Sequence, residues 1–172
     1  MAHVLIVGMV RSGKTNLAKH LARRYAERGF QPLLFDPVGD PAWPIAEEYR
    51  YQDPDAFLRA AFSSLRCPLF IDESSEAVGR FDRERFILAT RSRHRGHWAH
   101  FIAQRVVQCS PEIREQCSTV YAFRVGPKEA KSLAEEFGCE QLSHADRVPQ
   151  YSCIRYQRFG EASQIEIPAF EA

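Results

Sequence analysis

The segment Gly8-Met9-Val10-Arg11-Ser12-Gly13-Lys14-Thr15 constrains the fold of this chain more than any other stretch. It fits the pattern G-x-x-x-x-G-K-[ST], and its flanks match what that pattern needs. His3-Val4-Leu5-Ile6-Val7 before it reads as a short buried strand. Asn16-Leu17-Ala18-Lys19-His20-Leu21-Ala22-Arg23-Arg24-Tyr25 after it reads as a helix. A strand, a glycine-rich turn and a helix N-terminus make an anion site. The glycines let backbone N–H groups converge on phosphate oxygens, and the helix end adds positive potential. Gly8 to Asn16 are therefore the expected nucleotide contacts. Lys14 is placed to reach the terminal phosphates of ATP, and Thr15 offers a hydroxyl to Mg²⁺.

The rest of the chain alternates strand-like and helix-like stretches, which predicts an α/β fold with a mainly parallel sheet. At 172 residues it suits one P-loop ATPase domain, with a core over 3–137 and an extension near 150–168. The first strand is expected over 3–7 and the first helix over about 14–28, stopped by Gly29. A second strand covers 31–36. Pro37, Gly39, Pro41 and Pro44 make 37–53 a loop. Asp53 caps a helix running to about Leu65, with Pro54 at its first position. A third strand spans 68–72, a helix runs from about Arg80 to Arg91, and a fourth strand covers 97–103. Ser110-Pro111-Glu112 starts a short helix, and a fifth strand spans 119–125. Pro127 opens a helix that stops at Gly138. Two alternating runs, 151–159 and 162–167, read as a β-hairpin on the sheet edge.

Composition excludes several function classes. With a net charge of +1 the molecule is no polycation, so any nucleic-acid contact must come from a local patch. Such a patch exists between Arg80 and Arg105, with seven arginines against two acids. A solvated helix face with interface ion pairs accounts for it as readily as phosphate contacts do. The five cysteines are odd in number and widely spaced, which reads as reduced thiols. The N-terminus lacks a basic leader region, and the apolar run Val4–Val10 is too short to span a membrane. The expected location is cytoplasmic. His94, His97 and His100 recur every third residue. On a strand that spacing sends neighbours to opposite faces, so they are not read as a metal site. Trp43 is read as capping the sheet edge.

Leu69-Phe70-Ile71-Asp72-Glu73 is an apolar strand ending in two acids. Such a strand delivers Asp72 to the carboxyl edge of the sheet, where α/β ligands bind. Asp72 is the expected Mg²⁺ ligand, and Glu73 the residue that orients or deprotonates attacking water.

Arg93-His94-Arg95-Gly96-His97-Trp98-Ala99-His100-Phe101-Ile102-Ala103-Gln104-Arg105 resembles the FtsK–HerA family of DNA-pumping ATPases. That family has an arginine, then a glycine, then a hydrophobic strand ending in Gln-Arg. Asp36-Pro37-Val38-Gly39 resembles the family's turn after the second strand, and Phe123-Arg124 its fifth-strand end. The resemblance implies a RecA-like, three-layer α/β fold, ring-shaped oligomers (often hexamers) and double-stranded DNA threaded through the ring. By position, Gln104 resembles the family's polar sensor beside the γ-phosphate. Arg93 is the choice for an arginine finger acting on a neighbour's nucleotide, with Arg91 and Arg95 left open as rivals. The bare size resembles genome-packaging ATPases of tailless, membrane-containing viruses, which implies a capsid or membrane vertex protein as a further partner. Two other readings stay open: a small nucleotide or metabolite kinase, and an ATP-binding assembly or secretion factor that pumps no DNA.

Overall fold

In the computed structural model, residues 3–72, 88 and 90–171 are described. The chain builds one eight-stranded sheet: β1 (His3–Val7), β2 (Leu33–Phe35), β3 (Arg50–Tyr51), β4 (Pro68–Asp72), β5 (Trp98–Ala103), β6 (Cys117–Ala122), β7 (Ser152–Gln157) and β8 (Ser163–Glu166). Their order across the sheet is β3-β2-β4-β5-β1-β6-β7-β8. The first six are mutually parallel, and β7 and β8 add antiparallel at one edge. The expected strand boundaries hold to within about two residues, except that the fifth starts at Cys117 and ends at Ala122.

Period-two alternation of the central strands gives the sheet two apolar faces. Val4 and Ile6 pack with Leu17, Ala18 and Ala22 of α1 (Lys14–Glu27) on one side. Leu5 and Val7 pack on the other side, with Phe57 and Ala61 of α2 (Pro54–Ser63) and Leu133 and Phe137 of a later helix, Pro127–Phe137. A short helix, α3 (Pro111–Gln116), precedes β6, and Pro127–Phe137 is α4. Every residue of β1, β4 and β5 is buried. Each large apolar side chain so buried contributes about 1.5–3 kcal/mol.

Local signals fix the helix ends. Asp53 Oδ2 accepts from the Ala56 amide at 2.7 Å, with Pro54 next to it, so α2 starts where a cap and a fixed φ coincide. Gly138, at φ 65, stops α4. The loop over 37–53 is more ordered than its prolines suggest. It contains a 3₁₀ turn, Glu47–Tyr49, and the two-residue strand β3, which pairs with β2. Arg50 holds it together by donating to the carbonyls of Ile45, Trp43 and Pro41. Trp43 is buried in the α1-side core against Phe70, with Lys19 above its ring. The helix expected from Arg80 lies almost entirely outside the described residues. No described helix is long and apolar enough to cross a membrane. All five cysteines are buried free thiols.

Candidate functional site

Because β1, β2, β4, β5 and β6 run in one direction, their carboxyl ends share one edge of the sheet. The loop of residues 8–13 leaves β1 there and is stitched to both neighbouring strand ends. Gly8 N–H donates to Ala103 O (3.2 Å) at the end of β5, and Met9 N–H to Arg124 O (2.7 Å) beyond β6. Glycine is required at position 8 by crowding: a Cβ there would stand 2.5 Å from Phe123 Cβ. Gly13 has φ 112, a conformation open mainly to glycine, and ends the loop at the first turn of α1.

The start of α1 has no side-chain cap and no acid in its first turn. The first amides of a helix have no intrahelical acceptor, so those of α1 suit an anion held beside the loop. Lys14 is buried at the same place, and its Nζ donates to Met9 O at 2.8 Å. The ammonium is thus folded back on the loop's own carbonyl. Burial lowers its pKa to about 8, and the Asp72 carboxylate partly opposes that shift.

Asp72 ends β4 and is itself buried. Thr15 Oγ1 lies 3.5 Å from Asp72 Oδ2. A hydroxyl and a carboxylate side by side are the hard oxygen donors Mg²⁺ takes when phosphate oxygens and water complete its shell. The donor set therefore fits that ion. No cluster of three or more His, Cys, Asp or Glu side chains suited to a metal occurs among the described residues. Glu73 lies outside them.

β5 is inserted between β4 and β1. Its Ile102 is level with Asp72, and its Ala103 with Val7. Gln104 follows directly, so it sits at the phosphate edge between the loop and Asp72. The Gln108 side chain caps this corner, accepting from the amides of Gln104 (2.8 Å) and Arg105 (2.9 Å). Sequence reading missed Gln108; its only signal is its place three residues after the Gln-Arg pair.

Arg93 lies elsewhere. It belongs to the 3₁₀ turn Ser92–Arg95, which enters β5 at its amino end. The six residues of β5 put about 20 Å of strand between that turn and the phosphate edge. Arg93 is exposed and donates to Gln116 O at 2.6 Å. Arg91 and Arg95 line a cavity of about 470 Å³ with Phe62 and His94 on the same side. None of the three reaches the loop of its own chain.

Asn16, the residue after Thr15, has its side chain engaged by the end of the described chain. Its side-chain amide donates to Pro168 O (2.8 Å) and accepts from Phe170 N–H (3.0 Å), which ties the segment after β8 to α1. His97 and His100 are engaged in the core. His97 Nδ1 accepts from Cys67 N–H and its Nε2 lies 2.8 Å from Ala61 O. His100 stacks on Phe70 at 4.4 Å, with its two nitrogens on Leu69 O and the Tyr25 hydroxyl. Asp36 accepts from the Val38 and Asp40 amides, which closes the Asp-Pro-Val-Gly turn beyond β2.

No family model and no curated protein matches the chain. Solved structures do. The genome-packaging NTPase B204 of Sulfolobus turreted icosahedral virus 2, in complex with sulfate, superposes with a TM-score of 0.77 at 18% identity over 99% of this chain and 98% of that one. The pCW3 conjugation coupling protein TcpA, with ATPγS, gives 0.74 at 16% identity, covering 99% of this chain and 61% of that one. The Thermomonospora curvata type VII secretion ATPase EccC gives 0.73 at 17%, over 99% and 24%. The fold is the one these solved structures share, here a mainly parallel α/β sheet with an antiparallel pair at one edge.

Proposed function

We propose that this chain is an ATP-hydrolysing motor of the FtsK–HerA type that moves double-stranded DNA as a ring of identical subunits, in the manner of a viral genome-packaging ATPase. One observation carries the reading. The phosphate loop, Thr15, Asp72 and Gln104 gather at one sheet edge, while Arg93, expected to act on a neighbour's nucleotide, stands at the opposite edge. A second copy would supply that finger. B204, whose length this chain matches almost fully, has been captured with AMPPCP and ATPγS, which supports a nucleoside triphosphate as ligand.

In this reading the α1 amides and Lys14 hold the β- and γ-phosphates, and Lys14 exchanges Met9 O for a phosphate oxygen. Thr15 and Asp72 hold Mg²⁺, which neutralises charge on the phosphate oxygens when bound. Glu73 orients or deprotonates the attacking water. Gln104 donates its amide to that water or to the γ-phosphate. Arg93 of a neighbouring subunit stabilises the charge that develops in transfer. Duplex DNA is the cargo, and a capsid or vertex protein the docking partner.

The test is ATPase activity with and without duplex DNA over a range of protein concentrations. Specific activity rises with both, and Glu73→Gln keeps ATP binding while stopping hydrolysis. Turnover indifferent to DNA and to concentration refutes the motor and leaves an assembly or secretion factor. Phosphoryl transfer to nucleoside monophosphates by the monomer would make it a kinase.

A further inference from the structure

The loop is braced from outside by residues that no phosphate-loop pattern contains. Tyr151 N–H donates to Ser12 O at 3.0 Å, and Tyr151 O accepts from Ile167 N–H at 2.7 Å. Gln150 Nε2 donates to Arg11 O at 3.0 Å. With both backbone groups engaged, Tyr151 is held at φ 59, in the left-handed region that bulky residues seldom enter. Such strain persists only where the surroundings over-determine it, and it concentrates at ligand sites.

The ring is not part of the core. Tyr151 is 45% exposed. It lies against the loop glycine, since a Cβ on Gly13 would meet Tyr151 Cδ1 at 3.1 Å and its Cα at 3.2 Å. From the start of α1, Asn16 is locked to Pro168 and Phe170. The segment after β8 is fixed further down α1, where His20 Nε2 lies 3.0 Å from Pro168 O and the Arg23 guanidinium sits over the Phe170 ring. A partly exposed aromatic ring and a rigid polar wall therefore flank the phosphate loop where α1 begins.

We propose that Tyr151 is the nucleobase platform of this site: its ring stacks on the base of a bound purine nucleoside triphosphate, beside the Ile167–Pro168 segment that Asn16 holds. The inference rests on the nucleotide reading of the loop and assigns what that reading leaves open, the base-holding element. Loop amides and Lys14 recognise phosphate whatever is attached to it. Stacking adds affinity for the base and tolerates different bases, because each has a π-face. The site accordingly takes ATP and GTP with similar affinity.

The experiment is calorimetric titration with ATP, GTP and inorganic tripolyphosphate, all with Mg²⁺, of wild type, Tyr151→Ala, Tyr151→Gly and Tyr151→Trp. Wild type binds ATP about tenfold more tightly than tripolyphosphate. Tyr151→Ala and Tyr151→Gly erase that preference and leave tripolyphosphate affinity unchanged, while Tyr151→Trp retains it. Glycine accepts φ 59 without strain, so Tyr151→Gly removes the ring and keeps the brace. An undiminished ATP preference in Tyr151→Gly overturns the platform, as does an equal loss of ATP and tripolyphosphate, which would mark a bracing role alone. Wild type that binds tripolyphosphate without preferring ATP overturns it while sparing the phosphate site. Wild type that binds none of the three overturns the nucleotide reading as well.

Discussion

Raising the pH tests how Lys14 is held. Burial has brought its pKa down to about 8, against an ordinary 10.5. The ammonium is the form that grips phosphate, and a bound triphosphate next to Nζ pulls the pKa back up. ATP binding then becomes coupled to proton uptake as the pH rises through 8. Lys14 is about 90% charged at pH 7 and about 10% charged at pH 9, so affinity falls about tenfold between them, or ~1.4 kcal/mol. The phosphate groups themselves are ionised throughout, their secondary ionisation lying near pH 6. The assay is ATP binding by calorimetry at half-unit steps, in buffers of differing ionisation heat so that the proton count is read directly. Lys14→Arg is the control. A guanidinium stays charged over this range, so its profile is flat, whatever affinity it has lost from altered shape. A flat wild-type profile, or an equal slope in Lys14→Arg, refutes the claim that a buried ammonium at this position governs affinity. Asp72 sharpens the test. Its carboxylate holds the Lys14 pKa up, so in Asp72→Asn the inflection moves to lower pH.

Two further outcomes follow from the same geometry. Arg93→Ala mixed with Lys14→Ala, each inactive alone, regains ATPase activity if Arg93 serves a neighbour's site, because mixed rings place an intact loop beside an intact arginine; no regain in a mixing titration removes that role. His100 is enclosed by Tyr25, Phe70 and Leu69, and burial lowers its pKa to about 3. The unfolded chain takes up that proton near pH 6.5 and the folded one does not, so stability is lost as pH falls from 6.5 towards 3. At pH 5 the loss is about 2 kcal/mol, with His97, lowered in the same direction, steepening the slope. Denaturant melts of wild type and His100→Gln at pH 7 and 5 check it, the variant losing less.

What the sequence showed depended on how local the cause was. Helix α2 is announced by Asp53-Pro54 because a cap and a fixed φ are properties of two adjacent residues. Helix α4 is announced in the same way by Pro127 and Gly138. The apolar runs of β1, β4 and β5 are legible because strands covered on both faces need no polar alternation. Strand β3 was hidden because two residues carry no period, and its order comes from Arg50 reaching three carbonyls five to nine residues back. Asn16 was assigned to the ligand since it follows the motif; the hold of its side chain on Pro168 and Phe170, more than 150 residues away, left no local signal. Tyr151 was read only as the first residue of a strand. Nothing near it in the chain reports the contacts with Ser12 and Ile167 that turn it towards the loop.

The polarity of a parallel sheet separates the two ends of each strand, and here that separation divides the chemistry. β5 carries Gln104 at one end and receives the Ser92–Arg95 turn at the other, with its apolar length buried between them. A rigid strand of this kind cannot bring its own arginines to its own phosphate edge. Were β5 to move as one body, a shift of Gln104 towards a γ-phosphate would move the turn at its far end by a similar amount. If the neighbour's nucleotide is what that turn touches, one strand links two successive sites. A tilt of β5 on nucleotide loss in one subunit would then withdraw Arg93 from the next. The consequence is directional: Gln104→Ala in one subunit slows hydrolysis both in its own site and in the site served by its Arg93. In rings mixed from wild type and Gln104→Ala, activity lost per variant subunit then exceeds one site. A loss of one site per variant subunit would leave β5 as a scaffold for two independent groups.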